Sequence, residues 1–116
     1  MEIIRNQCGS ITALELIGRL DLASGVTLKE KVKAEFDGGN TRIHLNMAKV
    51  DFVNSSGLGA LVSVMKETRL RSGRLTLSNL ASYVQEIFEI TQLAHIFEIY
   101  PTQDVAISSY EPALTR

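Results

Sequence analysis

The sequence predicts an α/β domain: a mixed, mostly parallel sheet with helices packed on it, in the order β-β-α-β-α-β-α-β-α. Three observations lead there. Short runs rich in aliphatic and β-branched residues alternate with longer runs whose apolar residues recur at helical spacing, the pattern of strand–helix–strand units. Gly, Ser, Asn and Asp fall at the joints between these runs. The chain has 116 residues, 45% of them hydrophobic and 22% charged, which is one domain's worth of ordinary globular composition with enough apolar material to bury a core.

The elements follow in order. Residues 2–8 read as a weak strand and residues 11–17 as a stronger one, with Gly9-Ser10 as the turn of a hairpin. Gly18-Arg19-Leu20-Asp21 breaks the pattern. Ser24 then offers an N-cap to a first helix whose buried face is Leu28, Val32 and Phe36, with Lys29, Glu30, Lys31, Lys33 and Glu35 on its wet side. Asp37-Gly38-Gly39-Asn40 ends it. In residues 42–47, Ile43, Leu45 and Met47 alternate as in a strand. A second helix carries Leu58, Leu61, Val62 and Met65 at i, i+3, i+4, i+7 and stops at Ser72-Gly73. Residues 75–77 form a short strand, and Asn79 is placed to cap a third helix bearing Val84, Ile87 and Phe88. Residues 96–100 make a last strand, cut by Pro101, and Thr102 caps a short final helix through Val105 and Ile107. One domain is expected over residues 1–110, with 111–116 a flexible tail.

Composition excludes several roles. A net charge of −1 lacks the basic face that a nucleic-acid role calls for, and Lys66, Arg69, Arg71 and Arg74 cluster without interleaved aromatics, as at a solvated helix end. The single cysteine, Cys8, forms no intramolecular disulfide and no thiolate zinc site. No metal-ligand spacing is present. No signal peptide is recognisable and no apolar run approaches the roughly 18–20 residues that span a bilayer, so the expected location is the cytoplasm, away from the membrane. Phosphate-loop, nucleophile-elbow and dinucleotide signatures are absent. His44 and His95 do not stand in a strand-end loop with a serine, so no serine hydrolase is read here. No enzyme activity and no cofactor are expected.

The chemistry concentrates in Val50-Asp51-Phe52-Val53-Asn54-Ser55-Ser56-Gly57-Leu58-Gly59. Ser55 and Ser56 fall at or beside the N-terminus of the second helix, where free N–H groups and the helix dipole favour an anion. A hydroxyl there can be a cap, a nucleophile or a phosphorylation target. Sites in open α/β sheets form beyond the carboxyl ends of strands. The loops at 18–24 and 51–57 both follow strands, which brings Asp21 and Ser24 near Asn54, Ser55 and Ser56. Asp21 is equally a turn former. His44, out of phase with Ile43 and Leu45, reads as an ordinary packed or surface histidine.

Gly18-Arg19-Leu20-Asp21 followed by the 50–59 stretch resembles the anti-sigma-factor antagonist family, the bacterial STAS domains. Residues 80–93, Leu80-Ala81-Ser82-Tyr83-Val84-Gln85-Glu86-Ile87-Phe88-Glu89-Ile90-Thr91-Gln92-Leu93, are similar to that family's third helix and its exit. The resemblance spans nearly the whole chain. It implies an antagonist that binds an anti-sigma factor which is also a serine kinase of the histidine-kinase-like ATPase class. It further implies phosphorylation on the first serine of the pair, here Ser55, which ends the binding, and a metal-dependent serine phosphatase that restores it. Asp21, Ser24, Asn54, Ser55, Ser56, Gly57, Leu58 and Gly59 would form the partner-binding switch loop. Many relatives carry an acidic residue where this chain has Asn54, which removes one negative charge from the switch. Two other outputs stand beside this one: a STAS regulator of secretion, biofilm or signalling without a sigma factor, and a sensor of a small nucleotide or lipid at the strand-end pocket.

Overall fold

A computed structural model describes residues 1–110. Five strands and four helices alternate as β1 (Glu2–Cys8), β2 (Ile11–Leu20), α1 (Leu22–Asp37), β3 (Arg42–Val53), α2 (Ser55–Leu70), β4 (Arg74–Ser78), α3 (Ser82–Ile90), β5 (Glu98–Tyr100) and α4 (Gln103–Ser108). A single 3₁₀ turn, Leu93–His95, precedes β5. The strands lie in the order β1-β2-β3-β4-β5. Among the described residues the β1–β2 hairpin is antiparallel and every other pair is parallel. The predicted α/β class and element order are those observed. The expected tail at 111–116 lies outside the described residues.

One face of the sheet holds the main core. Leu14, Leu16 and Leu20 of β2, Ile43, Leu45 and Met47 of β3, and Leu75 and Leu77 of β4 pack against Leu28, Val32 and Phe36 of α1 and Leu61, Val64 and Met65 of α2. The alternation of β3 and the helical stripes, both visible in the sequence, therefore meet in one layer. α3 adds Val84 and Phe88 to it, and Phe97 meets Phe88 edge to face at 5.5 Å between centroids.

The opposite face is smaller and polar. His44 is fully buried there. Its Nδ1 is 2.8 Å from Thr76 Oγ1 and its Nε2 is 2.7 Å from Ser78 Oγ. Thr76 Oγ1 lies 2.9 Å from the Tyr110 hydroxyl, which donates to the Ile43 carbonyl at 2.7 Å. Tyr110 follows α4, and Arg74 clamps the same region, donating to Glu98, to the Tyr100 hydroxyl and to the Ser109 carbonyl while stacking 4.3 Å over the Tyr110 ring. A second polar clamp sits under the hairpin. Glu35 accepts from Arg5 at 2.7 Å, from Asn40 at 2.9 Å and from Thr12 at 3.2 Å, and its carboxyl is held below the usual range chiefly by Arg5.

Several boundaries differ from the sequence expectation. β2 runs on to Leu20 and β3 to Val53 because their pairing continues to Leu20↔Val53 through two register shifts, one between Glu15 and Ile17 and one between Gly18 and Arg19. These bulges break the alternation that reveals a strand. Gly18, at φ 113°, takes a backbone conformation open to glycine. Asn79 does not cap α3; it sits at φ 60° and donates its N–H to the Tyr100 carbonyl, and α3 begins at Ser82 with no side-chain cap. β5 begins at Glu98 because the Ile96 and Phe97 amides are taken by the Leu93 carbonyl in the preceding turn. Three of the four cations in the basic cluster are likewise used within the fold: Arg69 donates to the Ile96 carbonyl, Arg71 to Glu67, and Arg74 belongs to β4.

Candidate functional site

The predicted loops at 18–24 and 51–57 reduce to one residue each. Asp21 alone joins β2 to α1, and Asn54 alone joins β3 to α2. Both are extended and both are N-caps. The Asp21 carboxylate accepts the Ser24 N–H at 3.1 Å, and Ser24 Oγ accepts the Asp21 N–H at 2.8 Å, completing a capping box. The Asp21 carboxyl is held below the usual range, first by the Ser24 backbone N–H and then by the Ser24 hydroxyl. Ser24 is therefore not the N-cap that the sequence suggested. The extension of β2 moves the helix start three residues earlier, and Ser24 is buried as the other half of the box, also donating to the Arg19 carbonyl at 2.6 Å.

Asn54 plays the corresponding part for α2. Its Oδ1 accepts the Gly57 N–H at 2.9 Å. Ser55 and Ser56 are then the first two helical residues; both are exposed and neither hydroxyl serves the cap. Of the first four amides of α2, Gly57 is taken by Asn54 Oδ1 and Leu58 by the Asn54 carbonyl at 2.9 Å. The Ser55 and Ser56 amides are the pair that no cap uses.

The two helix starts are tied together. The Asn54 N–H donates to the Leu20 carbonyl at 3.2 Å, and Gly57 is pressed against that same carbonyl. A Cβ built on Gly25 of α1 would come 2.8 Å from Ala60 Cβ and 3.8 Å from the Ser56 carbonyl of α2. Asp21 and Ser24 thus lie on the same sheet edge as Asn54, Ser55 and Ser56, as expected from adjacent parallel strands. Gly57 is buried, Leu58 is half-buried against the core, and Gly59 is exposed with nothing near its Cβ position.

A family model for the STAS domain matches residues 2–106. The chain belongs to the STAS domain family. BtrV of Bordetella bronchiseptica is 31% identical to this STAS domain over 101 residues, 87% of either chain. The anti-sigma-B factor antagonist of Bacillus subtilis is 33% identical over 87 residues, covering 74% of this chain and 78% of its own. The anti-sigma factor antagonist SpoIIAA of Bacillus shares the fold in two forms. The unphosphorylated form aligns with a TM-score of 0.74 at 23% identity over 94% of this chain and 97% of its own. The phosphorylated form gives 0.73 at 23% identity over 95% and 100%.

Around the serines, this STAS domain exposes groups that the sequence reading passed over. Leu22 and Val26, one turn apart on α1, are 70% and 44% exposed. They stand off the Leu28–Val32–Phe36 stripe, which is the signal that was available. Arg19 stacks 3.8 Å over the Phe52 ring, and the Tyr83 hydroxyl is pushed up by burial, with Asp51 adding to the effect. No helix among the described residues is long and apolar enough to cross a membrane.

Asn54 holds the start of α2 through its amide oxygen, which caps a helix as well as a carboxylate does. Replacing Asn54 with Ala is expected to cost about 1 kcal/mol, the usual worth of an N-cap. Asn54→Asp should stay within about 0.5 kcal/mol of the parent, since the cap is kept and the added charge faces a helix N-terminus. Urea unfolding midpoints at constant slope check both.

Proposed function

We propose that this STAS domain is an anti-sigma factor antagonist whose binding is switched by phosphorylation of Ser55. The partner is an anti-sigma factor that is also a serine kinase of the histidine-kinase-like ATPase class. It binds the unmodified domain, phosphorylates it and lets it go; a metal-dependent serine phosphatase returns the domain to its binding form. The observation that carries this reading is that Asn54 does the capping, which leaves the Ser55 hydroxyl exposed at the first position of α2 and free to react.

The physics supports a switch that spares the fold. A phosphoserine adds about −1.5 to −2 charges and three strong acceptors. At Ser55 these acceptors face the dipole of α2 and the two amides that the cap leaves over, so the folded domain tolerates the charge. In an interface the same charge must be desolvated, and with Asp21 on the same sheet edge it adds to charge of its own sign. Asp21, fixed by its capping box, orients this edge. Asn54 and Gly57 hold the start of α2, and Leu58, Gly59 and Ser56 complete the surface the partner meets. Ser24 contributes from below, through Asp21.

The test is capture from host lysate with the parent, Ser55→Ala and Ser55→Asp as baits. Parent and Ser55→Ala are expected to retain an ATPase-domain protein, Ser55→Asp to lose it, and phosphate to map to Ser55. Urea midpoints for Ser55→Asp should match the parent. Equal capture by all three baits, with no phosphate on the parent, overturns the proposal.

A further inference from the structure

α1 and α2 close tightly at the end that carries the two caps, through Gly25 against Ala60. Farther along, a crevice of about 250 Å³ opens between them. Its floor is apolar and belongs to the core: Val32, Phe36 and Val64. Its rim carries Lys29, Lys33 and Arg71 against a single acid, Glu67. Glu67 is already paired with Arg71 at 3.0 Å, and Arg71 also lies 4.9 Å over the Phe36 ring. Lys33 pairs with Asp37 on the open surface, and Lys29 has no carboxylate within ion-pair distance among the described residues. One turn apart on α1, Lys29 and Lys33 reach the same side of the crevice.

We propose that this crevice binds a small anionic amphiphile, a carboxylate on a short aliphatic body. The apolar body lies on Val32, Phe36 and Val64, and the carboxylate meets Lys29 and Lys33. The apolar floor offers a wholly polar ligand little, because desolvated polar groups would find no partners there. The sign of the head follows from the rim: Glu67 is taken by Arg71, and Lys29 is a cation with no carboxylate partner among the described residues, so a cationic head would meet repulsion and no free acid. This local surplus is not a reflection of the whole chain, whose net charge is −1. The site is separate from Ser55, and the proposal stands whatever becomes of the switch.

The experiment titrates the ¹⁵N-labelled, unphosphorylated chain with octanoate, octanol and octylammonium. Saturable amide shifts are expected at Val32, Phe36 and Val64 with octanoate, about tenfold weaker with octanol, and absent with octylammonium. Lys29→Glu is expected to weaken octanoate about tenfold. Ser63→Phe, at an exposed position on the crevice wall, should abolish it; both variants should keep the parent's amide pattern elsewhere. Octanol or octylammonium binding as tightly as octanoate overturns the proposal. So does indifference to Lys29→Glu, or the absence of crevice shifts at millimolar octanoate.

Discussion

Gly57→Ala is expected to destabilise the protein by about 3 kcal/mol or more, enough to unfold a marginal domain. A Cβ at this position would overlap the Leu20 carbonyl oxygen and lie 2.7 Å from its carbon and 3.0 Å from Leu20 Cγ. The obstacle is backbone at the end of β2, which cannot rotate away. Relief would require α2 to lift from the sheet, which would stretch the Asn54–Leu20 hydrogen bond and open the core at Leu61 and Val64. Gly59→Ala is the matched control. Its Cβ meets nothing within 4 Å, so the helix gains propensity and should be stabilised by about 0.5–1 kcal/mol. Thermal and urea unfolding of the two variants should move in opposite directions. A Gly57→Ala protein as stable as the parent would mean that the close approach of β2 and α2 is not as described.

The second large effect is on pH. His44 is buried and its pKa is lowered from 6.5 to about 4 because burial disfavours the charged ring. Its hydrogen bonds assign the neutral form. Tyr110 donates to the Ile43 carbonyl, so Thr76 donates to Tyr110, Nδ1–H donates to Thr76, and Ser78 donates to Nε2. A proton on Nε2 would turn that last acceptor into a donor facing the Ser78 hydroxyl. The pKa is depressed on folding, so between pH 6.5 and about 4 the unfolded chain binds a proton that the folded chain refuses. Stability is thus flat in this group above pH 7 and falls as the pH drops, by about 3 kcal/mol in all. His44→Gln should be less stable at pH 7 yet lose the slope between pH 7 and 4.5. Below that range the lowered carboxyls of Asp21, Glu35 and Glu98 add losses in the same direction. A His44→Gln variant with the parent's slope would move the titrating group elsewhere.

The fold was legible where apolar residues keep to one face. Ile43, Leu45 and Met47 of β3, and the stripes Leu28–Val32–Phe36 and Leu58–Leu61–Met65, carry period and composition together. Legibility failed at the upper ends of β2 and β3, where bulges put Ala48 and Lys49, and then Asp51, out of phase. It failed again at Phe97, whose ring enters the core from a turn while its amide bonds to the Leu93 carbonyl. The candidate site was legible as a place, because Asn54 to Gly59 bridges a strand pattern and a helix pattern. The division of labour within it was not. Ser24, Asp21 and Asn54 are all good caps by residue type, and only the register of Leu20 with Val53 decides which of them stands at the boundary.

The Leu20 carbonyl holds the start of α2 from below and adjoins the start of α1, so both helix beginnings share one anchor point. A partner docking on this edge, as proposed, would meet a face that is already assembled. It pays little for ordering this edge, and encounter should be governed by approach and charge more than by any rearrangement. A modification on such a face adds charge, of a sign already present, to a rigid die. The metal keeps its shape, and only the stamp that fits it changes.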